Sequence, residues 1–253
     1  MTGPTITDVT AYLLRSDAPL EGYGVSGWLL VRIHTDDGVV GVGESGAWGY
    51  QEAAAAAVET FADVLEGEDA LRREHLYQYC YRNAHFRGAA VTAALSAIDV
   101  ALWDVAGKTF DASVADLLAG RCRESARVYC HAFGGTTDEL VGQCEAAAEA
   151  GFTAIGHLSP LLDESREDRY FETHAERVRT ARERVRRYRE AVGDDVDLCI
   201  ELHRRLDPHD AVALASKLEP FDPLFLEDPV KPDSFDSMVA VAEGTSLPIA
   251  TGE

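Results

Sequence analysis

The sequence predicts an α/β chain in two parts: an α+β capping domain over residues 1–120, then a (β/α) barrel of the TIM type over 121–253, reaching about its fifth strand. Two observations carry this. Near the end of the chain, short apolar runs closing on a carboxylate recur: Val196-Asp-Leu-Cys-Ile-Glu-Leu-His203, Leu224-Phe-Leu-Glu-Asp-Pro229 and Leu247-Pro-Ile-Ala-Thr-Gly-Glu253. Such runs, bounded by Gly, Pro and Asp and separated by segments of helical period, read as buried parallel strands alternating with helices. At the front, β-rich runs flank Asp36-Asp-Gly38, a hairpin signal, and give way to helices rich in alanine and leucine.

In order, the strands of the cap are Ile6–Leu14, Gly27–Thr35 and Val39–Glu44. Glu21-Gly-Tyr-Gly-Val-Ser-Gly27 places three glycines around Tyr23, and Glu44-Ser-Gly-Ala-Trp-Gly-Tyr50 is a second covering loop whose Trp48 would shield substrate from water. Helices follow from Gln51 to about Leu65, Leu71 to Arg82 and Ala89 to Lys108, each burying an Ala/Leu stripe. Asp99 and Asp104 in the third are read as structural acids. A linker with Asp111, Ser113 and Gly120 leads to the first barrel strand, Ala126–Phe133. Glu139–Ala150 is the first barrel helix, stopped by Gly151, and Phe152–Leu158 the second strand. The arginine-rich segment from Asp163 to Val192 carries an apolar stripe of Val178, Val185, Tyr188 and Val192, so its arginines read as a solvated face paired with acids.

Composition narrows the function. There are 44 acids against 23 bases, a formal charge of −21. Phosphate surfaces would be repelled, which disfavours nucleic acid and anionic membranes. Only Lys108, Lys217 and Lys231 are lysines. An acidic, lysine-poor surface suits high salt, where screening relieves self-repulsion. Five scattered cysteines without Cys-x-x-Cys spacing read as reduced core thiols. No signal-peptide layout is evident, and no apolar run is expected to approach the roughly 18 residues of a membrane span, so a soluble, cytoplasmic protein is expected.

The three terminal acids stand at Glu201, Glu227 and Glu253, and 227 − 201 = 253 − 227 = 26. Equal steps per βα unit would set all three at one height on the catalytic face of a barrel. Carboxylates gathered so closely repel unless a hard cation neutralises them, and oxygen ligands suit Mg²⁺. Residues two apart in a strand share a face, so His203 should look into the same mouth as Glu201 and serve as general acid or base. Arg205, two further on, is a candidate to bind a substrate carboxylate or hydroxyl. Alternation points His157 away from the lumen unless its strand end twists, and it is kept as a candidate substrate contact.

Glu201, Glu227 in Leu-Glu-Asp-Pro, Glu253 in Ala-Thr-Gly-Glu, and Ala97-Ile-Asp-Val-Ala-Leu-Trp-Asp-Val-Ala-Gly-Lys108 together resemble the enolase superfamily, most closely the acid-sugar dehydratases of its mandelate racemase-like branch. The resemblance implies Mg²⁺-dependent dehydration of an aldonate of the gluconate, galactonate or xylonate kind to a 2-keto-3-deoxy sugar acid through an enediolate. It implies that His203 protonates the departing hydroxyl and that the loop around Tyr23 closes over the site. Association with further copies of the chain is expected, and no nucleic-acid or membrane partner.

Two departures stand out. The dehydratases carry Asp-x-His where this chain has Glu201-Leu-His203, and relatives that use a Lys-x-Lys base have Gly156 and Leu158 in its place here. The second departure argues against the alternative, a racemase or epimerase of a 2-hydroxy acid. The resemblance implies that the α-proton base lies on a later strand, and since a closed barrel of this type has about eight strands it is expected beyond Glu253, in a longer protein. The remaining alternative is a non-catalytic metal-binding fragment.

Overall fold

A computed structural model describes residues 3–15, 27–47, 49–86, 88–161 and 173–252. The chain forms two compact units, Met1–Ser125 and Ala126–Glu253. Tyr23, Trp48 and Glu253 lie outside the described residues.

In the first unit, strands β1 (Ile6–Arg15), β2 (Gly27–Thr35) and β3 (Val40–Ser45) form an antiparallel sheet in chain order. The turn between β2 and β3 closes through Gly38, whose φ of 87° favours glycine. Alternation on β2 buries Leu29, Val31 and Ile33 completely. Helices α1 (Gln51–Leu65), α2 (Arg73–Asn83) and α3 (Ala89–Phe110) complete this core, within a residue or two of the predicted spans. A single turn, α4 (Val114–Leu117), follows.

Gly41 and Gly43 decide how closely α3 lies on β3. A Cβ at Gly43 would stand 1.8 Å from the Ala97 carbonyl oxygen, and one at Gly41 2.1 Å from that of Ala101. Only bare backbone admits that contact. Asp104 then accepts the Val42 N–H at 2.8 Å, and Lys108 Nζ donates to the Val40 carbonyl at 2.6 Å and to Asp104 at 2.7 Å. Asp99 pairs with Arg73 at 2.7 Å, whose guanidinium lies 3.9 Å over the Trp103 ring. Both acids therefore hold the cap together, in line with their sequence context.

The sequence expectation that no run is apolar enough to span a membrane needs correcting: by length and composition α3 passes that test. Its apolar face, including Leu95, Ile98, Leu102 and Val105, is buried within the cap, which makes it the core helix of this unit.

In the second unit, β4 (Cys130–His131), β5 (Ala154–Leu158), β6 (Asp197–Glu201), β7 (Phe225–Glu227) and β8 (Ile249–Ala250) are parallel and ordered as in the chain. Sequential parallel order with an intervening helix each time is the wall of a (β/α) barrel. The helices are α5 (Thr137–Glu149), α6 (His174–Val192), α7 (Pro208–Leu218) and α8 (Phe235–Gly244). Capping boxes at Thr136/Glu139 and Thr173/Glu176 start α5 and α6, and Pro208 opens α7. The core between helices and strands contains Ile155, Leu158, Leu198, Ile200, Leu202, Leu214, Leu226 and Tyr188.

Two expectations change. The first barrel strand is only Cys130–His131, and Arg127, outside that ladder, bonds through its side chain to Thr153 and pairs with Asp197 at 2.7 Å. Of the thiols, Cys80, Cys144 and Cys199 are buried, but Cys130 is half-buried and Cys122 exposed. On α6 the arginines are engaged as predicted: Arg186 with Glu183 and Glu190, Arg187 with Asp138 at 2.6 Å. Arg189 instead gathers the carbonyls of Phe221, Gly193, Val196 and Asp222, tying the end of α6 to the approach to β7.

Candidate active site

The ends of β5, β6 and β7 bring together Glu201, Glu227, Asp228, His157 and His203. Glu201 and Glu227 are register partners across β6 and β7, which is the part of the equal-step argument that the described residues address. On the next strand the partner of Glu227 is Ala250, and Glu253 lies outside the described residues. Two sets of ligand atoms lie within 4.8 Å of one another: Glu201, Glu227 and Asp228, and His157, Glu201 and His203.

The backbone at these strand ends is unusual. His157, His203, Arg204 and Asp228 have φ of 57°, 52°, 61° and 40°, the left-handed region that non-glycine residues seldom enter. Each costs on the order of 1 kcal/mol or more, and such strain collects at functional sites. It also explains why simple alternation is a poor guide here. β6 ends at Glu201, and His203 follows in a left-handed turn rather than in the strand, its N–H donating to Glu201 Oε1 at 2.6 Å. The pair is adjacent, but through the turn. His157 sits at an irregularity in the register of β5 against β6, and that twist brings its ring to 4.7 Å from the His203 ring.

A row of rings extends from there. His157 stacks on His131 at 5.2 Å, and His131 on Tyr129 at 5.0 Å, with Phe133 edge-on to His131. Tyr129 Oη donates to Glu227 Oε2 at 3.5 Å, closing the row onto the carboxylates. Tyr129, His131 and Phe133 were not singled out from the sequence, although Tyr-x-His-x-Phe is itself a period-two signal. Asp228, next to Glu227 in Leu-Glu-Asp-Pro, carries no sequence signal that sets it apart as a site residue.

The electrostatics follow from burial. Glu201 is 3% exposed, and burial, aided by the charges of Glu227 and Asp228, pushes its carboxyl up to about 7 against the pull of the His203 N–H and Arg204. Burial and Asp228 also raise Glu227, which hydrogen bonds from Tyr129 and Glu201 partly offset. Burial lowers His131 and favours its neutral ring. Asp228 is 2% exposed; its Oδ1 accepts from Thr251 at 2.7 Å, whereas Oδ2 has no hydrogen-bond partner among the described residues and lies 3.8 Å from Arg204 Nη1.

Elsewhere, Arg205 Nη1 donates to the Leu161 carbonyl at 2.7 Å. Gly156 is held to glycine by Tyr129, because a Cβ there would stand 2.2 Å from the Tyr129 ring. Leu158 is fully buried. The two positions of the Lys-x-Lys pattern are thus taken up by an aromatic ring and by the core.

The chain is similar to known proteins over most of its length. Residues 22–119 match the mandelate racemase / muconate lactonizing enzyme N-terminal domain, and residues 139–253 match the enolase C-terminal domain-like family. A D-galactonate dehydratase of Xanthomonas euvesicatoria is 34% identical over 227 residues, 89% of this chain and 58% of the relative. The chain thus spans 58% of the length of that curated relative. Among solved structures, a mandelate racemase/muconate lactonizing enzyme-like protein of Rubrobacter xylanophilus superposes with a TM-score of 0.85 at 31% identity, covering 98% of this chain and 66% of that one. The 3,6-anhydro-D-galactonate cycloisomerase of Zobellia galactanivorans gives 0.83 at 27% identity, covering 98% and 65%.

Proposed function

The chain belongs to the enolase superfamily, in its mandelate racemase / muconate lactonizing enzyme branch, and from that premise we propose that it acts in the Mg²⁺-dependent dehydration of a sugar acid to a 2-keto-3-deoxy acid. The observation that carries the reading is the juxtaposition of a buried carboxylate cluster with His203, at the strand ends where barrel enzymes do their chemistry. The curated D-galactonate dehydratase relative supports an aldonate as substrate.

The donor set fits a hard divalent ion. Glu201, Glu227 and Asp228 offer oxygens only, and Asp228 Oδ2, which lacks a hydrogen-bond partner among the described residues, and the raised Glu201 carboxyl are the marks of acids crowded with only Arg204 nearby to offset them. Glu201 and Glu227 would hold the ion, with Glu253 as the expected third ligand. When bound, the ion supplies neutralisation of the negative charge that develops on the substrate carboxylate as the α-proton leaves.

The chain's own residues do the rest. The turn that bonds the His203 N–H to Glu201 fixes the imidazole beside the carboxylates, where it can give a proton to the β-hydroxyl oxygen as the C–O bond breaks. Water departs, and the enol tautomerises to the 2-keto acid. His157, packed edge-on to His203, limits where that ring can swing and is placed to meet a substrate hydroxyl. Tyr129 holds Glu227 and occupies the space a lysine base at Gly156 would need, which favours dehydration over racemisation on this scaffold. Arg205, Tyr23 and Trp48 are proposed as further substrate contacts, a homo-oligomer as the assembly, and the acid-rich, lysine-poor surface as an adaptation to salt in a soluble, cytoplasmic setting.

The test is 2-keto acid formation by the purified protein from a panel of aldonates, with and without Mg²⁺. Water loss from galactonate or a close epimer, abolished by a chelator, is expected. Inversion at the α-carbon without keto acid would overturn the reading.

A further inference from the structure

We infer that His157, Glu201 and His203 form a second cation site, suited to borderline transition ions such as Zn²⁺ and Co²⁺, which shares Glu201 with the carboxylate cluster. Two nitrogens and one oxygen within 4.8 Å of one another are the wrong donors for Mg²⁺, which takes oxygens and sheds water reluctantly, and the right ones for an ion bound by imidazole. Around tetrahedral Zn²⁺, with bonds near 2.1 Å, ligand atoms stand about 3.4 Å apart.

The fold presets the site. His157 lies in β5 and His203 in the turn that follows β6, both with left-handed backbone, and their rings meet at 4.7 Å with an interplanar angle of 70°. His131 stacks nearly parallel on His157 at 14° and backs that ring as a wall. Glu201 reaches both clusters because it is buried between them.

Because Glu201 is common to the two sets, an ion held by the histidines competes with one held by Glu227 and Asp228. It also occupies the His203 nitrogen, so Zn²⁺ would switch off the proton transfer assigned above; that consequence rests on the dehydratase reading, whereas the site itself does not.

The experiment titrates the metal-free 253-residue chain with Co²⁺ alone, followed by visible absorption and calorimetry, and separately with Mn²⁺ alone as a spectroscopic stand-in for Mg²⁺. Expected are one Co²⁺ per chain with nitrogen-ligand absorption, a loss of Co²⁺ affinity of at least about tenfold in His157→Ala, and Mn²⁺ affinity within about twofold of the parent. Glu227→Gln should do the reverse. His157→Asn, which tolerates the left-handed backbone, serves if the alanine variant fails to fold. Undiminished Co²⁺ affinity in the His157 variants, or no Co²⁺ binding by the parent chain, overturns the inference. Undiminished Mn²⁺ affinity in Glu227→Gln sinks the magnesium reading instead.

Discussion

The backbone N–H of His203 donates to Glu201 Oε1 at 2.6 Å, so one short turn fixes both the proton donor and the metal ligand proposed here. Moving either residue moves the other. His203→Asn, which keeps that backbone bond and a left-handed-tolerant side chain, should lower the dehydration rate by about 10²–10⁴-fold while leaving Mg²⁺ affinity nearly unchanged. Steady-state rates beside a metal titration check both halves; an equal loss of both would recast His203 as a structural or ligating residue.

The raised Glu201 carboxyl makes the metal-free chain sensitive to pH. Its folded value, about 7, lies above the ordinary 4.5, so the native state binds the proton more tightly than the unfolded one. The neutral acid costs nothing at low pH; as pH rises from 4.5 to 7 the unfolded chain ionises first and stability falls, by a few kcal/mol in total. Denaturant melts of metal-free protein across that window should show the decline. Glu201→Gln should flatten it, and Mg²⁺ should bind more tightly as pH rises, because ligation needs the carboxylate.

Glu201, Glu227, His203 and His157 were legible in the sequence because carboxylate-ended apolar runs at a regular step announce strand ends of a barrel. Their relative geometry was not, because alternation holds only inside a strand and these side chains are set by left-handed residues just past it or at a register irregularity. Hence His203 reaches Glu201 through a turn, and His157 comes inward. Three-dimensional contact alone revealed what Tyr129 and His131 do, since the period-two Tyr-x-His-x-Phe pattern predicts a strand but not which rings meet the carboxylates. The cap was read almost residue for residue, since alanine-rich amphipathic helices and an Asp-Gly turn depend on local rules.

Gly43→Ala tests how the cap is built. The added methyl meets the Ala97 carbonyl oxygen at 1.8 Å, so α3 must lift from β3, straining the Asp104 and Lys108 bonds as well. A loss of about 1–3 kcal/mol is expected from chemical denaturation. Gly38→Ala, which meets nothing within 4 Å, isolates the purely conformational cost at φ 87° and should fall nearer 1 kcal/mol.

Charge gives a fourth expectation. With 44 acids against 23 bases, repulsion within the folded chain should ease as salt rises, and the thermal midpoint should climb between dilute buffer and molar KCl. A flat or falling midpoint would mark an ordinary acidic protein.

The left-handed backbone at positions 157, 203, 204 and 228 also sets what these positions will accept if the pocket is redesigned. Valine, isoleucine and threonine, branched next to the main chain, are unwelcome there, whereas asparagine, aspartate, histidine and glycine enter with little penalty. A combinatorial library aimed at new substrates would therefore do best with that short palette at the rim, leaving bulkier diversity to the neighbouring ring-bearing strand.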